Sequence, residues 1–76
     1  MQVTELAVGL TDGKDELVRL YDWLAQRKIT VREINLKRKE GNSVKIVLYI
    51  AMPRHFDKAD FLRLQEDIPG VQSVEI

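Results

Sequence analysis

The chain has no cysteine and a single histidine, His55. The first absence excludes disulfides, thiolate zinc sites, iron–sulfur clusters and cysteine nucleophiles, and it leaves the redox compartment unreadable. The second removes Cys/His metal centres and His-paired triads within one chain. Net charge is missing too: twelve Lys and Arg balance twelve Asp and Glu, so no bulk field draws the chain to nucleic acid or to an anionic membrane. The longest strongly apolar run, Ile46 to Met52, falls far short of the ~20 residues of a membrane-spanning helix. No basic segment leading into an apolar stretch opens the chain, so no signal peptide is read. Linkers, low-complexity segments and repeats of solenoid period are also lacking. What remains is a 76-residue chain, 45% hydrophobic and 32% charged. That suits one small folded domain, residues 1–76, with one thin core. No enzyme activity, cofactor or metal is expected of it.

Leu6, Val8 and Leu10 alternate with Glu5, Ala7 and Gly9, which predicts a strand over about residues 3–10. Thr11-Asp12-Gly13 reads as a turn that can cap a helix. In that helix Leu17, Leu20, Tyr21 and Leu24 form one apolar stripe. Asp15 and Glu16 in its first turn and Arg27 and Lys28 at its last suit the helix dipole. A second strand is predicted from near Ile29 to about Lys39. Its apolar positions change parity between Val31 and Ile34, which implies a bulge near Arg32-Glu33 or a short loop before the strand proper. Glu40-Gly41-Asn42-Ser43 is a hairpin turn. The third strand places Val44, Ile46, Leu48, Ile50 and Met52 on one face, and Pro53 stops it. Asp57 is placed to cap a second helix, with Asp60 in a capping box and Phe56 and Phe61 as a hydrophobic staple. Phe61, Leu64 and Ile68 face the core. Pro69-Gly70 ends that helix, and Val74 and Ile76 give a short last strand with Val71 at its entrance.

The order β-α-β-β-α-β predicts an α+β, ferredoxin-like sandwich: a four-stranded antiparallel sheet with both helices on one face. The opposite face then meets water or a partner. There the third strand presents Lys45, Val47, Tyr49 and Ala51, an apolar stretch that is unusual for a solvated face. Val47, Tyr49 and Ala51 are therefore candidate interface residues for self-association or a protein partner. Asp12, Asp15 and Glu16 are accounted for by helix capping, and a hard-cation site would need more oxygen ligands than this stretch supplies. Lys37-Arg38-Lys39 reads as a solvated strand end that also discourages edge-to-edge pairing. RNA recognition on this fold wants aromatics on the first and third strands; only Tyr49 is there. The Thr11–Asp15 loop is too acidic for an acyl-phosphate cradle.

Two stretches resemble an ACT-type regulatory domain: Asp12-Gly13-Lys14-Asp15-Glu16-Leu17, and the ending Ile68-Pro69-Gly70-Val71-Gln72-Ser73-Val74-Glu75-Ile76. Within that group, Leu48-Tyr49-Ile50-Ala51-Met52-Pro53-Arg54-His55-Phe56-Asp57-Lys58-Ala59-Asp60-Phe61 is similar to the cytosolic C-terminal domain of MgtC/SapB-type membrane proteins. This resemblance implies a parent with an apolar helical domain in the bacterial inner membrane, tied to magnesium limitation and transport regulation. The present chain would be its part on the cytoplasmic face, a soluble segment not itself inserted in the membrane. A chain that begins and ends inside its own elements also reads as a domain cut from something longer. The alternative is an amino-acid-sensing ACT domain of a metabolic or stringent-response enzyme, with a ligand site at Asp12, Gly13, Lys14, Thr30 and Arg32. Against it stands one departure. Amino-acid-binding ACT domains carry Asp-x-x-Gly-x-Leu in the first loop, and here Asp15 occupies the place of that glycine, where an anion obstructs a ligand carboxylate.

Overall fold

The computed structural model describes residues 2–11 and 14–76, with Lys14 described by its backbone only. Its elements run β1 (Gln2–Thr11), α1 (Lys14–Gln26), β2 (Thr30–Glu40), β3 (Ser43–Met52), a 3₁₀ turn (Lys58–Arg63), α2 (Leu64–Asp67) and β4 (Val71–Glu75). The strands form one sheet in the order β2-β3-β1-β4, every neighbouring pair antiparallel. The α+β ferredoxin-like architecture follows.

Period-two alternation decides which side of the sheet is dry. Leu6, Val8 and Leu10 on β1 and Ile46, Leu48, Ile50 and Met52 on β3 form one buried cluster with Leu20, Trp23 and Leu24 of α1 and with Phe61, Leu64 and Ile68. Each of the fully buried side chains contributes about 1.5–3 kcal/mol of transfer free energy. On α1 the stripe is rotated from the one the spacing predicts. Trp23 is buried beside Leu20 and Leu24, Leu17 is half-buried, and Tyr21 faces solvent. The reason lies across the gap, where Phe61 meets the Trp23 ring at 6.0 Å between centroids. The larger apolar surface takes the buried position.

Helix α1 stops at Gln26, before the basic pair expected in its last turn. Ile29 N–H donates to the Leu24 carbonyl (3.0 Å) and Lys28 N–H to that of Ala25 (3.1 Å), with Lys28 at φ 63°. This is a Schellman closure, with Ile29 and Leu24 buried as its apolar pair. The parity change in β2 is a real bulge, because the register with β3 skips Arg32; a second bulge, unforeseen, skips Lys37. The hairpin closes through Gly41 at φ 56°, the positive φ that a type II′ turn asks of its first central residue.

Asp57 caps the following segment, its Oδ1 accepting from Ala59 N–H at 3.0 Å. Phe56 and Phe61 pack at 4.9 Å between ring centroids, as the staple predicts. The reciprocal half of the capping box is replaced: Asp60 is too short for the role of Glu and lies near Arg63 instead, at 4.0 Å. The second helix is also mostly 3₁₀, with only Leu64–Asp67 α-helical. Phe61 and Leu64 are three apart, a spacing that eclipses in a 3₁₀ turn; Leu64 and Ile68 are four apart, the α spacing. At the chain end Val71 is the first residue of β4 and packs in the core at the strand's entrance, as expected, while Ile76 lies beyond the strand, exposed.

Candidate functional site

The face of the sheet away from the helices is built by the other parity. Register places Ala7 and Gly9 of β1 beside Val47 and Lys45 of β3, with Glu75 and Ser73 of β4 on one side and Asn35 and Arg38 of β2 on the other. Val47 is 4% exposed and Ala51 is fully buried, yet neither belongs to the core cluster. Both sit on the central strand β3, Val47 between Ala7 and Asn35 and Ala51 between Val3 and Thr30. Lys45 Nζ reaches Glu75 Oε1 at 3.5 Å, an ion pair that spans β1 above Gly9 and Ala7. Tyr49, half-buried between Glu5 and Glu33 in the register, is the one of the three candidate interface residues with surface left to offer. Beside the ion pair is a shallow depression of ≈ 180 Å³ lined by Gly9, Lys45, Ser43, Gln72 and Ser73 among others. Gly9 keeps it open, since a Cβ there would press on the Ser73 hydroxyl.

Of the five residues of the candidate ligand site, Asp12 and Gly13 lie outside the described residues, and Lys14 is described only as the first residue of α1. Thr11, the last residue of β1, pairs with Ser43 at one end of β3; Thr30 pairs with Ala51 at the other end. Eight residues at about 3.4 Å each separate those ends by roughly 27 Å. A helix that returns across the sheet causes this separation, because β2 must start where α1 finishes, at the far end from Thr11. Thr30 and Arg32 are both exposed, and Arg32 is the residue skipped by the first bulge. Near Thr11, the Glu16 side chain lies over Gly70 at the start of β4, which adds a second acid beside Asp15. Among the described residues no group of three or more His, Asp or Glu could hold a metal ion.

A further cluster joins the two helical segments. Trp23 Nε1–H donates to Asp67 Oδ2 at 2.7 Å, and the Arg27 guanidinium lies 3.7 Å from the Trp23 ring centroid and 3.6 Å from the same carboxylate oxygen. The i,i+4 spacing of Trp23 and Arg27 was a readable signal. Asp67, forty-four positions on, was not.

With these strands, helices and edges in place, the chain superposes on solved structures over almost its whole length. The C-terminal domain of the MgtC protein from Mycobacterium tuberculosis matches with a TM-score of 0.66 at 22% identity, over 99% of this chain and 84% of that one. The chain has an ACT-like fold. The ACT domain from the GTP pyrophosphokinase of Chlorobium tepidum matches at 0.64 and 17% identity, over 96% of this chain and 94% of that one. A formyltetrahydrofolate deformylase from Pseudomonas putida KT2440 matches at 0.76 and 16% identity, over 99% of this chain; the present chain spans 29% of the deformylase. No protein-family model and no curated protein sequence matches the chain. The likeness to ACT domains and to the MgtC C-terminal domain, expected from short motifs, is therefore carried by backbone geometry. No helix among the described residues is long and apolar enough to cross a membrane.

Proposed function

We propose that this ACT-like domain is a non-enzymatic regulatory module that acts by contact with another copy of itself or with a protein partner. In the first reading it is the cytoplasmic C-terminal part of an MgtC/SapB-type inner-membrane protein linked to magnesium limitation or transport regulation. The observation that carries this is the superposition on the MgtC C-terminal domain across 84% of that domain, together with the local Pro53-to-Phe61 pattern that singled it out in sequence. The open face with Tyr49 and the free edges of the sheet are the surfaces such a module presents.

Amino-acid sensing, as in ACT domains attached to enzymes, is the second reading, favoured by the match to the pyrophosphokinase ACT domain across 94% of its length. The distance along β3 between the partners of Thr11 and Thr30, and the acids Asp15 and Glu16 in the first turn of α1, weigh against a site within one chain. An amide ¹H–¹⁵N titration of this domain with pooled amino acids and with Mg²⁺ separates the two. Contact regulation predicts a flat response. Saturable shifts clustered at residues 11–16 and 30–34 would establish a sensor and overturn the first reading.

A further inference from the structure

On the open face the register sets Arg38 of β2, Lys45 of β3, Gly9 of β1 and Ser73 of β4 in one row across the sheet. Like charges directly opposite one another in a ladder repel and cost stability, yet Arg38 and Lys45 stand in that relation. Each has a carboxylate of its own, in a different direction. Arg38 Nη1 lies 3.7 Å from Glu40 Oε1, further along β2, and Lys45 Nζ lies 3.5 Å from Glu75 Oε1, two strands over on β4.

Beside the two cations the row opens into the depression of ≈ 180 Å³. Its floor is Gly9, where a Cβ would lie 2.5 Å from Ser73 Oγ. Glycine within a strand marks a place where another group approaches the backbone closely. The donors around this floor are available. Ser43 Oγ–H donates to Gln72 Oε1 at 3.1 Å, which leaves the Gln72 side-chain NH₂ group as a donor. Among the described residues neither that group nor the Ser73 hydroxyl has a partner. The depression therefore has two cations, a hydroxyl and an amide donor around a bare backbone, and the carboxylates nearest it are taken by the cations.

That set of groups suits an oxyanion. An anion between Arg38 and Lys45 turns their mutual repulsion into attraction to a common partner, and charge-assisted hydrogen bonds are the strong ones. A phosphate group fits in particular, because its several acceptor oxygens take guanidinium, ammonium and hydroxyl donors at once. The depression is shallow, so one oxygen is left toward solvent, where an ester substituent is accommodated.

We infer that this depression binds a phosphate group, free or as a monoester, with Arg38 and Lys45 as its cations and Ser73 and Gln72 as neutral donors. Glu75 is a built-in competitor that holds Lys45 until the anion arrives. The inference goes beyond the regulatory reading and does not depend on it.

An amide ¹H–¹⁵N titration with sodium phosphate, at ionic strength held constant with chloride, tests it. Saturable shifts should cluster at Gly9, Arg38, Lys45, Gln72 and Ser73. Lys45→Gln should weaken binding about tenfold, and Ser73→Ala about three- to fivefold, for the loss of a charged and a neutral hydrogen bond. Glu75→Gln removes the competitor and should tighten binding about two- to threefold. Lys58→Gln, at an exposed position of the 3₁₀ turn, deletes the same charge away from the row and should change binding less than about twofold. The dispersed amide spectrum of each variant shows that it is folded. Phenyl phosphate binding more tightly than inorganic phosphate assigns the site to an ester, and binding no more tightly assigns it to the free ion; either upholds the inference. Shifts that never saturate or that scatter over the cationic residues, equal losses in Lys58→Gln and Lys45→Gln, or no gain in Glu75→Gln would each overturn it. Phosphate is no part of the titration that separates contact from sensing, so either reading can fail without the other.

Discussion

Asp67→Ala isolates the bond that ties the second helical segment to α1. In the parent, the buried indole N–H donates at 2.7 Å to a carboxylate that is itself 43% exposed and lies 3.6 Å from Arg27. A hydrogen bond to a charged group contributes about 1.5–3 kcal/mol, and partial exposure puts this one at the low end. The Arg27 pair, open to solvent on both sides, adds no more than about 0.5 kcal/mol. Asp67→Ala should therefore cost about 2 kcal/mol, a fall in Tm of roughly 8–16 °C for a domain this size. Asp67→Asn keeps an acceptor in place and should cost under about 1 kcal/mol. Urea unfolding followed by fluorescence reads the change, since Trp23 is the sole tryptophan and its emission should shift to the red once its N–H partner is gone. An unaltered urea slope would show that the native state alone has changed. If Asp67→Ala lay within about 0.3 kcal/mol of the parent with emission unshifted, the bond would not be stabilising the native state and the reasoning would fail.

Lys28 holds a left-handed conformation at the Schellman closure, where a side chain is penalised. Lys28→Gly should raise stability by about 0.5–1 kcal/mol in the same urea assay, with no change in the core. Asp57→Ala removes the cap on Ala59 N–H and should cost about 1 kcal/mol; faster exchange of the Ala59 amide should accompany it. At Gly70, a Cβ would run into the Glu16 side chain and approach Thr11 Oγ1 at 2.8 Å. Gly70→Ala should thus cost about 1–3 kcal/mol. Glu16→Ala in that background should recover most of the loss, and failure to recover would place the strain in the backbone instead.

Local physics made much of this protein legible. Strict alternation from Val44 to Met52, the Asp57 cap with its Phe56–Phe61 staple, and the Gly41 turn are each decided by residues within a few positions of one another, so the order and type of the elements follow directly. The bulge at Arg32 was visible for the same reason, as a parity change in β2. Rotation of α1 toward Trp23 was not, because it depends on Phe61, thirty-eight positions away. The extent of the second helix also escaped, since a 3₁₀ turn and an α turn present nearly the same apolar spacing over six residues.

The candidate sites divide in the same way. Composition and alternation alone determined that Val47, Tyr49 and Ala51 share the face away from the helices. Only the packed sheet decided that Val47 and Ala51 are already covered and that Tyr49 alone retains surface. The likeness to ligand-sensing ACT domains grouped the first loop with the start of β2, whereas only the fold decided that Thr30 pairs at the end of β3 opposite to the partner of Thr11, because the helix returns across the sheet. Ile34 and Leu36 alternate like any core-facing pair, and nothing local marks them as exposed. Their exposure depends on how far two short helices extend over the edge of the sheet, a property of the assembled layers rather than of any segment.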